Sequence, residues 1–229
     1  MVDRETFDRI KEKHGPHASW AVWSKPDGKP KSNMGYLPVL DPDQNPALLG
    51  KLRSDVVMLG LNLSRDQPLP FGNFHDASSR RQDYKIRFAF TGTPFYGAYM
   101  TDIIKGVVML KAGDLMRYLA ANQHVVAESI ECLLEEFDDL KSESPTVIAF
   151  GGSAHLLAAR HLPANRCSGL CVLCITATTS RKRLTGSGFS ANWLHRGSAV
   201  TTSCSALSGN RLSRFVITVA GHPALTIHA

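Results

Sequence analysis

The last acidic residue of the chain is Glu143, and the 86 residues beyond it carry eight lysines and arginines and no carboxylate side chain. At ordinary usage, with about a quarter of residues charged, such a stretch holds roughly ten acids. The first 143 residues carry 18 basic against 20 acidic residues, so the net charge of +6 arises in the C-terminal part. A basic half of this kind suggests a polyanionic partner such as DNA. No apolar run approaches the roughly 20 residues of a membrane helix. No apolar stretch follows the charged Asp3-Arg4-Glu5 start, so a secretory signal is not expected and the cytoplasm is the expected compartment. Cysteine is absent before Cys132, and the odd total of five argues against a disulfide framework. Cys167, Cys171 and Cys174 have a spacing that can hold an iron–sulfur cluster. Their context, Cys-Ser-Gly-Leu-Cys-Val-Leu-Cys-Ile, reads instead as a buried strand in which cysteine is a small apolar residue. Phosphate-loop, dinucleotide-binding and nucleophile-elbow patterns are all missing.

What is present fits one globular α/β domain: 229 residues, 43% hydrophobic and 20% charged. Residues 3–14 read as an amphipathic helix with Phe7 and Ile10 on one face, stopped by Gly15-Pro16. The Pro- and Gly-rich segment 24–46 reads as a loop lying over the domain. Residues 55–62 form a near-continuous apolar run, the pattern of a parallel strand covered on both faces. Further strands are expected at 98–104, 145–150 and 169–176, with helices at 113–122, 125–140 and 153–161. The alternation predicts a parallel sheet flanked by helices. Between the first two strands, residues 64–96 make a long loop with room for short helices. Its aromatics Phe71, Phe74, Phe95 and Tyr96 argue against disorder. After residue 176 the pattern decays, and only 215–219 is strand-like.

Ligands of parallel sheets bind beyond the carboxyl ends of the strands. There the first strand ends in Gly60-Leu61-Asn62-Leu63-Ser64, which is similar to the G-I-N-P-G motif of mismatch-specific uracil and thymine glycosylases. Phe71-Gly72-Asn73-Phe74-His75 resembles the loop that covers a flipped base. Tyr99-Met100-Thr101-Asp102-Ile103-Ile104-Lys105 resembles the T-N-x-V-K segment of thermophilic uracil glycosylases. Pro145–His161 resembles the following strand and helix. On these motifs, spanning roughly residues 50–176, the chain resembles the uracil-DNA glycosylase superfamily. The resemblance implies a three-layer α/β/α fold around a four-stranded parallel sheet, in a domain of residues 1–176.

The same resemblance implies roles. Asn62 would position the attacking water; an amide is no strong base, so the chemistry it suits is dissociative. The alternative reading of Asn62 is a turn cap. Gly60, Leu61 and Leu63 would line the base site. Phe71 and Phe74 would stack on the extruded base, returning about 1–3 kcal/mol against a flipping cost of a few, unless either is a core residue. Asn73 and His75 would hydrogen-bond the base edge or a phosphate. Asp102 stands where the relatives have an asparagine that reads uracil. An ionised aspartate only accepts hydrogen bonds and would repel a developing uracil anion, so a raised pKa or an altered base choice is expected. Ser64, Arg65, Lys85, Arg87 and Lys105 are the nearest candidates for phosphate contacts.

Two departures stand out. The relatives carry a histidine motif after the fourth strand, where this chain reads Ile175-Thr176-Ala177-Thr178-Thr179-Ser180. The one His-Pro pair is His222-Pro223, a displaced counterpart at best. Residues 177–229 are therefore either a diverged basic DNA-binding tail or a stretch read in a changed frame. The thermophilic relatives also hold an iron–sulfur cluster through four cysteines, two near the N-terminus, which this chain lacks. No metal or organic cofactor is expected. The expected activity is hydrolysis of the N-glycosidic bond of uracil or a mismatched pyrimidine in DNA, by a monomer. The alternatives are a non-catalytic nucleic-acid-binding module of the same fold, or an unrelated α/β hydrolase or nucleotide-binding enzyme using His75-Asp76 with Asp83 or Asp102, with or without a metal.

Overall fold

The computed structural model describes residues 2–66, 69–78, 82–174, 201–202, 214–218 and 225–228. Helix α1 (Arg4–Lys13) starts where the Asp3 carboxylate accepts from the Thr6 backbone N–H at 2.7 Å, and Phe7 and Ile10 form its buried stripe. A two-residue strand β1 (Ser19–Trp20) follows, then β2 (Arg53–Asn62), α2 (Asp83–Phe90) and β3 (Ala98–Ile104). Helices α3 (Ala112–Ala121) and α4 (Gln123–Asp139) lead to β4 (Thr146–Phe150), α5 (Gly152–His161) and β5 (Gly169–Cys174). Gly151 turns β4 into α5 at φ 86°, a left-handed conformation that suits glycine.

The four strands expected from the apolar runs are present and mutually parallel, in the order β3-β2-β4-β5. The sheet is nonetheless larger than four strands. β1 pairs antiparallel with β3 at one edge. Beyond β5 come β8 (Leu225–His228), β7 (Arg214–Thr218) and β6 (Thr201–Thr202), all antiparallel. These three short strands lie in the segment whose sequence pattern decays. His222, the displaced-motif candidate, lies outside the described residues.

Strand alternation sorts the core into two faces. Val57, Leu59, Tyr99, Ile103, Val147 and Ala149 pack against α1, α3, α4 and α5. Val56, Met58, Met100, Ile148, Cys171 and Leu173 face α2 and the segment 21–34, including Trp23 and Met34. Both faces of β2 are thus covered, which is why its sequence is a continuous apolar run and not an alternating one. Each fully buried Val, Leu or Met contributes about 1.5–3 kcal/mol relative to exposure. The second face carries one two-turn helix together with non-helical chain. Among the described residues, no helix is long and apolar enough to cross a membrane.

Arg87 holds that non-helical cover in place. Its guanidinium donates to the carbonyls of Ser24 (2.9 Å), Ser32 (2.9 Å) and Pro30 (2.6 Å), and its side chain is buried. Burial lowers its pKa. This corrects the expectation that Arg87 meets a phosphate: it clamps the 24–32 loop. Arg87→Met is expected to destabilise the protein by about 1–3 kcal/mol, since three charge-assisted hydrogen bonds from a buried guanidinium are lost. The change should also open residues 24–32 to proteolysis; unchanged urea midpoint and cleavage pattern would rule the clamp out.

Candidate functional site

The parallel register places Gly60 opposite Asp102 on adjacent strands β2 and β3. A cavity of about 180 Å³ opens there, at the carboxyl ends of β2, β3 and β4. Gly60, Leu61, Asn62 and Ser64 of the β2 end line one side, with Asp102 beside them. Phe74, Ile86 and Phe150 supply apolar wall, and Asn73, Asp76 and Asp83 add polar groups. Gly60 has a steric reason to be glycine. A Cβ there would lie 2.1 Å from Asp102 Oδ1 and 3.1 Å from the Phe74 ring. Any side chain would evict the carboxylate or fill the cavity.

Asp102 is 3% exposed. Asn73 Nδ2 donates to its Oδ2 at 2.8 Å, and the same amino group donates to the His17 carbonyl at 2.8 Å. Asn73 Oδ1 accepts from the Phe74 N–H at 3.1 Å. Asn73 is therefore committed on both ends, and its role is to hold Asp102 rather than to read a base. Burial pushes the Asp102 pKa up to about 7, against the hydrogen bond from Asn73 and the charge of Lys105. Near neutrality a substantial fraction of the carboxyl is protonated, so it offers an O–H donor beside an acceptor oxygen. That is the donor–acceptor pair an asparagine would present, and it removes much of the repulsion expected of an ionised aspartate.

The two loop phenylalanines separate. Both have positive φ, 61° at Phe71 and 62° at Phe74, a region that bulky residues rarely adopt. Phe74 borders the cavity, edge-on to Phe150 with ring centroids 6.1 Å apart, and Trp23 Nε1 donates to its carbonyl at 3.1 Å. Phe71 is a core residue, 2% exposed, its ring 5.5 Å from Phe7. Its N–H donates to Gly15 O and its carbonyl accepts from Ser19 Oγ. Phe71 cannot stack on a base without unpacking α1, so that expectation is corrected.

His75 is likewise displaced from its expected role. It is buried, Nε2 donates to the Trp20 carbonyl at 3.3 Å, and the ring lies 5.7 Å from Trp23. Burial pushes its pKa down to about 4, which leaves it neutral at physiological pH. It lines a neighbouring cavity of about 310 Å³ that also borders Arg65, whose guanidinium pairs with Asp76 at 2.7 Å. Of the residues a hydrolase reading would use, Asp76, Asp83 and Asp102 all line the Asp102 cavity, with the Asp76 N–H donating to Asp83 Oδ2 at 3.0 Å, whereas His75 is held apart on the Trp20 carbonyl.

Asn62 borders the Asp102 cavity, and its Nδ2 donates to the carbonyls of Leu63 (2.7 Å), Val107 (3.2 Å) and Met109 (2.9 Å). It ties the loop after β3 to the end of β2. Leu63 contributes its backbone to that tie, also accepting from the Met109 N–H at 3.0 Å. Lys85 is half-buried on α2 and does not line the cavity. Lys105 lies on the other face of the sheet. Its ammonium donates to Thr101 Oγ1 at 2.6 Å and pairs closely with Glu136. The expectation that Lys105 meets a phosphate is corrected: it neutralises a buried acid.

That acid, Glu136, was not singled out from the sequence. It is fully buried and accepts from Tyr99 Oη at 2.8 Å and His17 Nε2 at 3.1 Å. Burial alone would raise its pKa, but the Lys105 charge and the His17 hydrogen bond bring it down to about 2. The signal was legible: Glu136 sits three residues after Leu133 and beside Phe137, on the apolar stripe of α4.

Compared with protein-family models, curated proteins and solved structures, the chain finds no match. The case for a function therefore rests on the motifs and on the geometry just described.

Proposed function

We propose that the chain is a monofunctional DNA glycosylase on a three-layer α/β/α fold of the uracil-DNA glycosylase type. It acts as a monomer and hydrolyses the N-glycosidic bond of uracil or a mismatched pyrimidine after base flipping. The observation that carries this reading is the cavity joining Gly60-Leu61-Asn62 to Asp102 and Phe74 at the strand ends. At about 180 Å³ it is smaller than the 300–1,000 Å³ typical of pockets for larger ligands, and it suits a single flat ring.

The roles follow from the residues. Phe74 and Phe150 offer apolar wall to the extruded ring. With the Asn62 amino group committed to three carbonyls, its carbonyl oxygen is the group left to accept a hydrogen bond from the attacking water. The glycosidic bond breaks first; water then adds hydroxide to the sugar carbon, and the departing base gains a proton. Protonated Asp102 donates to a base carbonyl as negative charge builds there, a task the relatives give to a histidine. Arg65 lines the neighbouring cavity and is paired with Asp76, so the basic C-terminal half is the source of long-range attraction to the backbone.

Incubating the full chain with uracil-containing single- and double-stranded DNA is the direct test. Abasic sites are expected with both near pH 6, fewer above pH 8. No abasic product from either strand form at stoichiometric protein would remove the catalytic reading. A salt-sensitive mobility shift without product would leave a nucleic-acid-binding module, which the full commitment of the Asn62 amino group also favours.

A further inference from the structure

Four metal-ligating side chains that the proposed activity does not use converge on the other side of the sheet. His14 caps the end of α1, and His17 follows the Gly15-Pro16 turn. Cys132 and Glu136 are four residues apart on α4, hence on one helix face. One ligand atom from each lies within 4.8 Å of all the others. His14 and Glu136 are buried, and His17 and Cys132 are half-buried. The His17 Nε2 to Glu136 Oε1 separation is 3.1 Å, close to the spacing of two ligands on one tetrahedral ion with metal bonds of about 2.0–2.2 Å. His14 Nε2 donates to Asp139 Oδ2 at 2.8 Å, leaving the other ring nitrogen with a lone pair. A carboxylate behind a histidine is the usual support of a metal-bound imidazole.

We propose that His14, His17, Cys132 and Glu136 form a structural site for a zinc-class divalent cation, seated between the end of α1 and the face of α4. Two imidazoles, a thiolate and a carboxylate complete a closed tetrahedral set. The opposing charges are the Lys105 ammonium on Glu136 and, on Asp139, the Lys13 ammonium and the Arg9 guanidinium. Only a cation with strong bonds to nitrogen and sulfur overcomes that repulsion, which selects zinc over magnesium or calcium. On binding, the Cys132 thiol loses its proton to solvent, His17 gives up its Nε2 proton as its hydrogen bond to Glu136 breaks, and the freed sulfur, nitrogen and carboxylate oxygen bond the metal. Because protons leave as the metal binds, uptake strengthens with pH. The site also reaches the cavity. The His17 carbonyl holds Asn73, and Asn73 holds Asp102. A cation fixed on His17 stiffens that chain of contacts.

Titrating the metal-free full chain with Co²⁺ tests this independently of any activity on DNA. One equivalent is expected to bind, with visible bands of a tetrahedral centre and a near-ultraviolet thiolate charge-transfer band. One equivalent of Zn²⁺ should bleach both. Cys132→Ser should lose the charge-transfer band, and His17→Gln or His14→Gln should weaken Co²⁺ binding at least tenfold with the far-ultraviolet spectrum unchanged. A Cys167→Ser/Cys171→Ser/Cys174→Ser variant should keep the band. Absence of uptake by the native chain overturns the proposal. So does a band that survives Cys132→Ser and disappears in the triple variant. Should Cys132→Ser fail to fold, the two histidine variants and the triple variant decide alone.

Discussion

The Glu136→Gln variant is expected to lose about 3–5 kcal/mol of folding stability at neutral pH, the cost of breaking a buried ion pair by removing one partner. Glutamine keeps the shape and leaves an acceptor for Tyr99 Oη, which donates to Glu136 at 2.8 Å. What it removes is the charge facing Lys105, whose side chain is only 11% exposed. The ammonium is then stranded between Thr101 and an uncharged amide. Pairing the change with Lys105→Met should recover much of the loss, because both desolvated charges disappear together. The native chain should show the same interaction through pH. The Glu136 pKa is depressed in the fold, to about 2 from 4.5, so its contribution is full above pH 4.5 and is lost as pH falls through 2. Urea midpoints of the native chain, the two single variants and the double variant, all with chelator present, give the coupling. A single-variant cost under about 1 kcal/mol would sink the assignment.

Much of this fold could be read from residue pattern, because parallel strands covered on both faces leave long apolar runs that few other elements produce. β2 and β4 announced themselves this way, and α1 did so through Phe7, Ile10 and the stop at Gly15-Pro16. β1 could not: two residues carry no periodicity, and Ser19-Trp20 becomes a strand only because β3 offers an edge. Among site residues, Gly60, Asn62, Phe74 and Asp102 meet around one cavity, as strand-end reasoning required. Phe71 and Phe74 were indistinguishable in sequence, being the same residue type in the same loop. What separates them is α1, which brings Phe7 to one and not the other. Lys105 and Arg87 were misjudged for a related reason. A basic residue near a motif is a phosphate ligand only if nothing inside the fold claims it first. A buried glutamate claims Lys105 and three carbonyls claim Arg87. The cluster of His14, His17, Cys132 and Glu136 was invisible, since more than a hundred residues separate its halves and only the packing of α1 on α4 joins them.

Asp102→Asn is expected to stabilise the protein progressively as pH rises, and to flatten the pH dependence of any base excision. The native carboxyl titrates at about 7 in the fold, against 3.8 as its ordinary value, chiefly because it is buried. Between those values the folded state keeps a proton that the unfolded chain gives up. The contribution is therefore fully present below pH 3.8 and is lost as pH rises through 7. Three pH units correspond to at most about 4 kcal/mol at 1.36 kcal/mol per unit, since the carboxyl borders the open cavity. Asparagine has nearly the same shape, can still accept from Asn73 Nδ2, and carries no charge to desolvate. Its advantage over aspartate should be near zero around pH 4 and approach the full figure by pH 8. Two other groups act in the opposite direction: His75, titrating at about 4 in the fold, and Glu136 both cost stability as pH falls. They are common to both proteins and cancel in the difference. Urea unfolding of the pair at pH 5, 6, 7 and 8 reads this out, and a difference that stays constant across the series would show that Asp102 is ionised throughout. The same variant separates stability from chemistry. If the protonated carboxyl donates to the leaving base, native excision declines as pH passes 7, whereas an amide N–H at position 102 donates at every pH.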